Sequence, residues 1–352
     1  MEKNEPSRTA LTTSLIRAHH TRTHHSPLIS DPWGDLLNPQ SFREMILQWV
    51  SQDRLQADRD DQPQEVLDEY LSRLASYASV IFRARYAEDA LAAAVARGVE
   101  QYVQIGAGFD SYALRRPSNA SHVVVFEVDH PATQDLKLQR FATLGLNVPE
   151  RVEFVPADLA SKSIDDALGR SRFQFDKPAI FSWLGVTIYL TRAANLASLK
   201  AIADCCVPGS AVVFTYTDEL ALIPGSQSAA YERMKRNAAA MGEPFLSGFQ
   251  PNQLAATLAG VGFALSEDLN GLQLSERYAC PAVPPLVPSA LSRAALAYVG
   301  PRALMRGVRG MELPKERHLK SSKMRGICRC QRRNSGLATP QSNTSLTATH
   351  AH

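Results

Sequence analysis

The segment 102–111 constrains the fold of this chain more than any other. Its apolar, β-prone start ends abruptly at Gly106 and Gly108, and the residues that follow can begin a helix. Glycines at a strand-to-helix turn let the backbone approach a ligand closely, with the N-terminus of the helix directed at it. A full dinucleotide fingerprint would need a third glycine at Tyr112 or Ala113, so a pyrophosphate cradle is not supported. The turn alone is equally compatible with a ligand site and with an ordinary tight connection.

Two more predicted strands end in an acidic residue. The apolar run 122–129 ends at Asp129, 21 positions beyond Gly108, and the run 151–159 ends near Asp158. In open parallel sheets the ligand lies beyond the carboxyl ends of the strands, and an acid about 20 residues past the glycine turn can accept hydrogen bonds from ribose hydroxyls. Three neighbouring strand ends therefore predict a nucleoside pocket, although both acids could instead cap helices.

Further strands and helices alternate along the middle of the chain. Predicted strands at residues 179–185 and 211–217 are separated by a helix at 191–206, for which Thr191 is a suitable N-cap. Strands that alternate with helices predict an α/β fold with a doubly wound, mainly parallel sheet.

The alternation stops after residue 217. We interpret residues 219–250 as an insertion above the strand ends, which would act as a substrate lid. Beyond this insertion we predict a late edge strand at 272–278 and one more short helix at 289–299.

The chain before the glycine turn predicts a cap of helices. A first helix is expected to begin at Thr13 or Ser14, and residues 65–97 place apolar side chains at the spacing of one long helix. The four histidines near the N-terminus have no accompanying cluster of carboxylates or cysteines, so we predict no metal ion there. A surface or structural role is expected for His19, His20, His24 and His25.

The positive charge of the chain is concentrated near its C-terminus. Residues 301–333 contain eleven Lys or Arg and two Asp or Glu, a net +9 in a chain of net +3, so the remainder is mildly acidic. This distribution argues against nucleic acid as a partner of the folded domain. For the tail 301–352 we expect disorder and an inert extension, with attraction to nucleic acid or a membrane as the less favoured alternative.

The length and apolar content allow one large domain with appendages. The chain has 352 residues, of which 45% are hydrophobic, and no apolar run approaches the roughly 18 residues that a membrane span needs. The five cysteines are an odd and scattered set, which argues against a disulfide framework. We predict a cytoplasmic protein without a membrane partner, composed of a helical cap at 1–97, a core at 98–285 and a linker with a basic tail at 286–352. The oligomeric state stays open.

Four motifs occur in order along the predicted sheet. They are QIGAGFDS at 104–111, FEVDHP at 126–131, ADL at 157–159 and FSWLGVTIYL at 181–190. Together they resemble the S-adenosylmethionine-dependent methyltransferases related to leucine carboxyl methyltransferase, and the bacterial branch of that family is the nearer match. The resemblance implies a seven-stranded, Rossmann-like methyltransferase sheet whose last strand runs antiparallel, with S-adenosyl-L-methionine as the cofactor.

The resemblance also assigns cofactor-binding roles to the ends of the first three strands. It places Gly106 and Gly108 at the methionine moiety and Asp129 at the ribose. Asp158 and Leu159 would lie beside the adenine. A carboxylate can accept from the adenine amino group, and Leu159 offers a backbone N–H and an apolar face.

In the family, an arginine of the segment that corresponds to the long predicted helix binds the methionine carboxylate. A guanidinium suits a carboxylate because its fork donates two parallel hydrogen bonds. Arg85 is the predicted residue, and Arg83 is the alternative. An exposed helical arginine without a ligand is the remaining interpretation.

The fourth motif would contribute to the acceptor site. Trp183, Thr187 and Tyr189 could border that site, although core packing is the stronger interpretation for Trp183. Leucine carboxyl methyltransferases carry a glutamate before the glycine of this motif, where this chain has Leu184 before Gly185. The acid that helps to hold the cofactor or substrate is therefore absent, which weakens a peptide carboxylate as the acceptor.

The resemblance implies a methyltransferase, and we expect it to methylate an oxygen of a small carboxylic or hydroxylated metabolite. A carboxylate is already a nucleophile near pH 7, whereas a hydroxyl would need a general base, and the sequence identifies none. One alternative is a non-catalytic protein that binds S-adenosylmethionine. A nicotinamide-dependent oxidoreductase is less favoured, because the third glycine and a clear hydride-transfer site are missing.

Overall fold

One sheet organises the part of the chain that the computed structural model describes, which is residues 6–53, 62–159, 161–240, 242–278 and 286–300. These residues belong to the unit Met1–Val308, and the second unit, Arg309–His352, lies outside the described residues. The strands are β1 (Gln101–Ile105), β2 (Val124–Asp129), β3 (Val152–Pro156), β4 (Ala179–Trp183), β5 (Ala211–Thr217), β6 (Phe263–Asn270) and β7 (Ser292–Val299).

The sheet is mainly parallel, with one antiparallel strand. The strand order is β3-β2-β1-β4-β5-β7-β6, and β1 to β5 all run in the same direction. Strand β7 runs antiparallel to both of its neighbours, β5 and β6. The predicted doubly wound sheet of seven strands is therefore confirmed. Its strand order reverses between β1 and β4, which is where open α/β sheets bind their ligands.

Alternate residues of the central strands face two apolar layers, one on each side of the sheet. In β1, Tyr102 belongs to the layer that contains Leu15 and Ile81 of the N-terminal helices. Val103, its neighbour along the strand, belongs to the opposite layer with Leu199. All five residues of β1 are buried, as expected for a parallel strand that helices cover on both faces.

Twelve α-helices lie in the described residues. They are α1 (Arg8–Thr23), α2 (Trp33–Leu37), α3 (Gln40–Asp53), α4 (Pro63–Ser72), α5 (Tyr77–Ala96), α6 (Tyr112–Arg115), α7 (Pro131–Thr143), α8 (Ile164–Leu168), α9 (Arg192–Cys205), α10 (Ala229–Ala240), α11 (Pro251–Gly260) and α12 (Gly271–Tyr278). None of these helices is both long enough and apolar enough to cross a membrane. The long helix predicted at 65–97 is in fact two helices, α4 and α5.

The first helix begins earlier than the sequence predicts. The Ser7 side chain accepts a hydrogen bond from the backbone N–H of Ala10 at 3.2 Å, so Ser7 is the N-cap of α1. Thr13 and Ser14 lie inside the helix, and their hydroxyls donate to the carbonyls of Thr9 and Gly34. The predicted start at Thr13 or Ser14 is therefore wrong.

Two elements near the C-terminal end of the sheet also differ from prediction. The predicted strand at 272–278 is helix α12, and the Asn270 side chain accepts from the backbone N–H of Gln273 at its start. The predicted helix at 289–299 is strand β7, although its alanines favour a helix. Pairing with β5 on one side and β6 on the other overrides that local propensity. The sheet thus continues beyond the predicted core boundary at residue 285, and the predicted tail at 301–352 lies outside the described residues.

Candidate functional site

Backbone hydrogen bonds bring the ends of the first three strands together. Beyond β1, Gly106 N–H donates to the carbonyl of Val128 in β2 at 2.8 Å, and Gly108 N–H donates to the Asp129 carboxylate. Ala157, just beyond β3, donates its N–H to the Asp129 carbonyl at 2.8 Å. The glycine turn, Asp129 and the residues that follow β3 are therefore adjacent, as the sequence predicts for parallel strands.

The glycine turn is closely covered by protein. Gly106 and Gly108 have φ values of +67° and +55°, in the left-handed region that favours glycine. A Cβ at Gly106 would lie 2.5 Å from Val186 Cγ2, and one at Gly108 would lie 2.8 Å from Ala10 Cβ. The first turn of α1 and the loop after β4 thus pack directly against the glycine turn. A side chain at Gly106 or Gly108 would collide with them, so the packing of the chain requires glycine at both positions.

Asp129 joins the glycine turn to the start of α7. Its Oδ2 accepts from Gly108 N–H and its Oδ1 accepts from His130 N–H at 2.6 Å. Burial raises the pKa of this carboxyl, and the two backbone hydrogen bonds oppose the increase by favouring the charged form. Each carboxylate oxygen has a second lone pair, so Asp129 can still accept hydrogen bonds from a ligand.

A cavity of about 540 Å³ lies beyond the ends of β2 and β3, and we call it the strand-end cavity. It is lined by Pro6, His130, Pro131, Ala132, Asp135, Leu136, Gln139 and Asp158. Asp158 is half-buried, and its Oδ2 accepts from the Ser161 hydroxyl at 3.1 Å. Leu159 packs against the apolar layer that also contains Leu199. The structure thus places Asp158 and Leu159 just beyond the end of β3, where Asp158 lines the cavity and Leu159 packs against the sheet.

A buried ion pair, which the sequence did not indicate, stabilises the glycine turn. Lys137 and Glu127 are each 1% exposed, and the Lys137 ammonium donates to the Glu127 carboxylate. The same ammonium donates to the carbonyl of Asp110 at 2.6 Å, so α7, β2 and the turn are tied together. Burial alone would raise the pKa of the Asp110 carboxyl. The nearby cations Arg17 and Arg115 outweigh this effect and lower that pKa to about 2.

The two candidate arginines of α5 have different surroundings. Arg85 is paired with Asp89 at 2.9 Å, its side chain is 43% exposed, and its guanidinium lies over the ring of Tyr278. Arg83 instead lies at the loop after β4, where a Cβ on Gly185 would be within 2.7 Å of three guanidinium atoms. Arg85 thus turns to Asp89 and α12, whereas Arg83 lies at the loop after β4, and the arginine that binds the methionine carboxylate stays a prediction.

A second, smaller cavity of about 110 Å³ adjoins Arg83, and we call it the inner cavity. It is lined by Ser76, Ser79, Phe82, Arg83, Gly185, Thr187, Ile188, Tyr189, Thr215, Tyr216, Thr217, Tyr231, Met234, Phe245, Gly271, Leu274, Ser292, Arg293 and Ala294. Arg293 is neutralised by Asp268, to which it donates at 3.0 Å. The remaining lining is mostly aromatic rings and neutral hydroxyls.

Two of the three residues predicted for the acceptor site line the inner cavity. Thr187 is buried, and its hydroxyl donates to the Thr215 carbonyl at 2.6 Å. The Tyr189 ring packs against Phe245 with the centroids 5.7 Å apart. Trp183 is completely buried in the apolar layer that contains Val103 and lines neither of the two cavities.

The fourth motif contains no acid at the position before its glycine. Leu184 occupies that position and packs against the apolar layer that contains Tyr102. A different acid, Glu243, is buried in residues 219–250, which we call the lid segment. Its Oε1 accepts from the Ser7 hydroxyl at 3.0 Å, so the lid segment is joined to the start of α1. The sequence carried no signal for this contact, because 236 positions separate the two residues.

Metal ligation is not supported by the described residues. No group of three or more His, Cys, Asp or Glu side chains in that part of the chain is arranged to hold a metal ion. The described residues instead offer backbone N–H groups and carboxylates at the strand ends, and a half-buried guanidinium at the inner cavity. Such groups can bind a polar ligand.

The chain is similar to several known proteins in sequence and in fold. The leucine carboxyl methyltransferase family model matches residues 10–203. The Bacillus subtilis (strain 168) protein named "Putative S-adenosyl-L-methionine-dependent methyltransferase YktD" is 33% identical over 293 residues, which cover 79% of this chain and 94% of that protein. A Mycobacterium tuberculosis (strain ATCC 25618 / H37Rv) protein, "Putative S-adenosyl-L-methionine-dependent methyltransferase Rv3787c", is 32% identical over 201 residues, covering 56% of this chain and 63% of that protein. The crystal structure of a DUF574 family protein from Streptomyces avermitilis covers 70% of this chain and 93% of its own, with 16% identity and a TM-score of 0.48.

Proposed function

Since this chain belongs to the leucine carboxyl methyltransferase family, we propose that it methylates an oxygen of a small carboxylic or hydroxylated metabolite. The relatives support an S-adenosyl-L-methionine-dependent methyltransferase, in agreement with the resemblance of the four motifs. The observation that carries the proposal is the convergence of the glycine turn, Asp129 and the end of β3 beyond the ends of three neighbouring parallel strands. The first of these strands, β1, borders the point where the strand order reverses.

The residues at the strand ends fit S-adenosyl-L-methionine. Asp129 would accept from the ribose hydroxyls, and Gly106 and Gly108 would lie at the methionine moiety. Asp158, which lines the strand-end cavity, and its neighbour Leu159 would hold the adenine. These carboxylates are acceptors, which matches the hydroxyl and amino donors of adenosine.

Arg83 replaces Arg85 as the residue proposed for the methionine carboxylate. It borders the inner cavity, and in the described part of the chain it forms no ion pair with a carboxylate. Burial lowers the pKa of its guanidinium to about 10, which leaves the group charged near neutral pH. A charged, unpaired guanidinium beside a cavity is suited to bind a carboxylate.

The cofactor supplies an electrophilic methyl group attached to a positively charged sulfur. The task of this chain is therefore to orient the acceptor oxygen and to keep water out of the site. Correct positioning of two reactants can contribute about 7–11 kcal/mol to lowering a barrier. Thr187 and Tyr189 line the inner cavity on the side of the fourth motif, where they would fix the acceptor.

The inner cavity favours a small acceptor. Its volume of about 110 Å³ leaves little room, and the hydroxyls of Ser76, Ser79, Thr215 and Thr217 lie in its lining. The Tyr231 residue is 6% exposed, and its hydroxyl lies close to the side chain of Thr217 in the same lining. An acceptor oxygen in the cavity would join these two hydroxyls, because buried polar groups are normally hydrogen-bonded.

Methyl transfer can be tested directly with the full-length chain. The protein is incubated with S-adenosylmethionine carrying a labelled methyl group and a library of small carboxylic acids and alcohols, and labelled products are identified. The proposal predicts label on an oxygen of at least one library member, and product formation that falls when Tyr231→Phe removes the cavity hydroxyl. Label recovered only on nitrogen or carbon atoms would contradict O-methylation. Binding of the cofactor without any turnover would favour a non-catalytic binding protein.

A further inference from the structure

Two adjacent cysteines lie at the C-terminal end of α9. Cys205 is the last residue of the helix, and Cys206 is its C-cap, in an extended conformation. Both are free thiols, and their Sγ atoms are 3.9 Å apart. Cys205 is half-buried, whereas Cys206 is 1% exposed. The pair therefore combines a sulfur that a small reagent can reach with a second, enclosed sulfur beside it.

The two thiols differ in acidity. A hydrogen bond from the Cys206 thiol lowers the pKa of the Cys205 thiol, although burial and the carboxylates of Asp165 and Asp204 oppose the decrease. Donation of that hydrogen bond, together with burial, raises the pKa of the Cys206 thiol. The thiolate is the nucleophilic form of cysteine, so Cys205 is the more reactive sulfur and Cys206 keeps its proton.

The competing role for the pair is packing. Cys206 belongs to the apolar layer that contains Leu199, and a buried free cysteine commonly behaves as a small apolar residue. Cys205 lies at the edge of the same layer, and its thiol donates to the Ile202 carbonyl at 3.4 Å. Packing accounts for Cys206, but it does not require a second, half-buried sulfur so close to the first.

We propose that Cys205 and Cys206 form a peroxide-sensitive dithiol, which closes into a disulfide between adjacent residues. The Cys205 thiolate attacks one oxygen of hydrogen peroxide and the O–O bond breaks, which leaves a sulfenic acid and a hydroxide that is protonated to water. The Cys206 sulfur then attacks the Cys205 sulfur. The S–O bond breaks, and the hydroxyl group leaves with the Cys206 proton as a second water. In total, the two thiols lose two electrons and two protons, and the peroxide is reduced to water.

The modification is expected to be reversible, because the closed ring is strained. The Cα atoms of adjacent residues are about 3.8 Å apart across a trans peptide bond, whereas disulfides usually join Cα atoms at least about 4.4 Å apart. Strain makes a disulfide easier to reduce, so glutathione should reopen the ring. The pair precedes β5, at the edge of the sheet opposite to the glycine turn. The proposed step therefore does not depend on the proposed function.

Peptide mass spectrometry of the full-length chain tests the proposal. Trypsin cleaves after Lys200 and Arg233, so one peptide, 201–233, contains both cysteines and no other cysteine. The protein is treated with hydrogen peroxide, its remaining thiols are alkylated with iodoacetamide, and the peptide mass is measured. The expected peptide carries no alkyl group and has lost two hydrogen atoms relative to the reduced form. Excess glutathione, added before alkylation, should restore both thiols.

Two single variants separate the roles of the two sulfurs. Cys206→Ser cannot close the ring, so its Cys205 should accumulate as the sulfenic acid, which dimedone traps. Cys205→Ser should leave the enclosed Cys206 thiol unoxidised. The matched control replaces Cys280, Cys328 and Cys330 together with serine. These three cysteines lie outside the described residues, and this variant should still form the ring.

Three results would overturn the proposal. Peptide 201–233 of the peroxide-treated wild type could keep both thiols, it could be joined by a disulfide to another peptide, or its Cys205 could become a sulfinic acid without ring closure. All three are measured on the wild-type protein, so they decide the matter even if a single variant does not fold. Absence of cofactor binding or of methyl transfer would contradict the proposed function alone, so the two failures are distinguishable.

Discussion

At the scale of single residues, Asp129 has two tasks. Its two carboxylate oxygens accept the N–H groups of Gly108 and His130, which fixes the glycine turn relative to α7. The remaining lone pairs of the same oxygens are the proposed acceptors for ribose hydroxyls. An amide at this position would place an NH₂ group against one of the two backbone donors. Both the geometry of the glycine turn and the contact with the ribose would then be weakened.

We therefore expect Asp129→Asn to lower the affinity for S-adenosylhomocysteine by about 10-fold or more, as lost hydrogen bonds to a charged group imply. Calorimetric titration measures the change. Asp166→Asn, an exposed acid in α8, is the matched control and should bind as the wild type does. An unchanged affinity in Asp129→Asn would show that the ribose is not held there.

The arginine assignment leads to a paired prediction. Arg83→Gln should weaken S-adenosylhomocysteine binding by about 10-fold or more, because a charge-assisted contact to the carboxylate is lost. Arg85→Gln should leave that affinity unchanged, since Arg85 is paired with Asp89 on a partly exposed surface. Neither substitution should affect binding of 5′-methylthioadenosine, which has no amino acid moiety. If Arg85→Gln weakens S-adenosylhomocysteine binding and Arg83→Gln does not, Arg85 is the residue that binds the carboxylate.

The sequence predicted some of these residues better than others. Asp129 could be located from its spacing to Gly108, because parallel strand ends meet at one edge of the sheet. The choice between Arg83 and Arg85 depended on the rotation of α5 about its axis. Residues two positions apart on a helix point in nearly opposite directions, and a family motif alone did not fix which one faces β4.

At the scale of elements, the N-terminal helices depend on buried neutral histidines. His20 is fully buried, its Nε2 accepts from the backbone N–H of Leu28 at 3.0 Å, and its ring lies 4.1 Å from that of His24. Burial, together with His24 and His19, lowers the pKa of His20 to about 3. The unfolded chain binds a proton at this residue near pH 6.5, whereas the folded chain does not. The stability that this difference provides is present above pH 6.5 and is lost as the pH falls toward 3.

The free energy of unfolding should therefore fall on acidification below pH 6.5, by about 1.4 kcal/mol per pH unit for one such group. In His20→Gln this slope should be smaller by about that amount, because the glutamine does not titrate. Urea denaturation at several pH values between 7 and 5 gives the slopes. The control His25→Gln changes an exposed histidine of the same segment and should keep the wild-type slope. Equal slopes in His20→Gln and wild type would contradict this assignment.

The elements that the sequence failed to predict are those decided by tertiary contacts. Strand β7 has alanines that favour a helix, but it lies between β5 and β6 and pairs with both. Helix α12 has the alternating Leu272 and Leu274 of a strand, and only Leu274 is buried. Ser7 as the N-cap of α1 was missed because the apolar pattern of that helix starts later.

At the scale of the whole molecule, the position of β7 defines where the fold can end. Removal of this strand would leave β6 without a partner in the sheet and would expose the neighbouring edge of β5. We predict that a chain ending at Gly300 unfolds cooperatively and binds S-adenosylhomocysteine like the full-length chain. A chain ending at residue 285, the boundary expected from sequence, should not fold. Circular dichroism and calorimetry test both truncations, and a large loss of binding in the longer one would show that the basic tail contributes to the site.

The central claim is that one edge of the sheet, formed by the ends of β1, β2 and β3, holds the cofactor. A crystal structure of the full-length chain with S-adenosylhomocysteine tests this claim most directly. We predict that the ribose hydroxyls contact Asp129 and that the adenine lies at the strand-end cavity beside Asp158. Electron density for the ligand at any other place, with Asp129 still bonded only to Gly108 and His130, would contradict the claim.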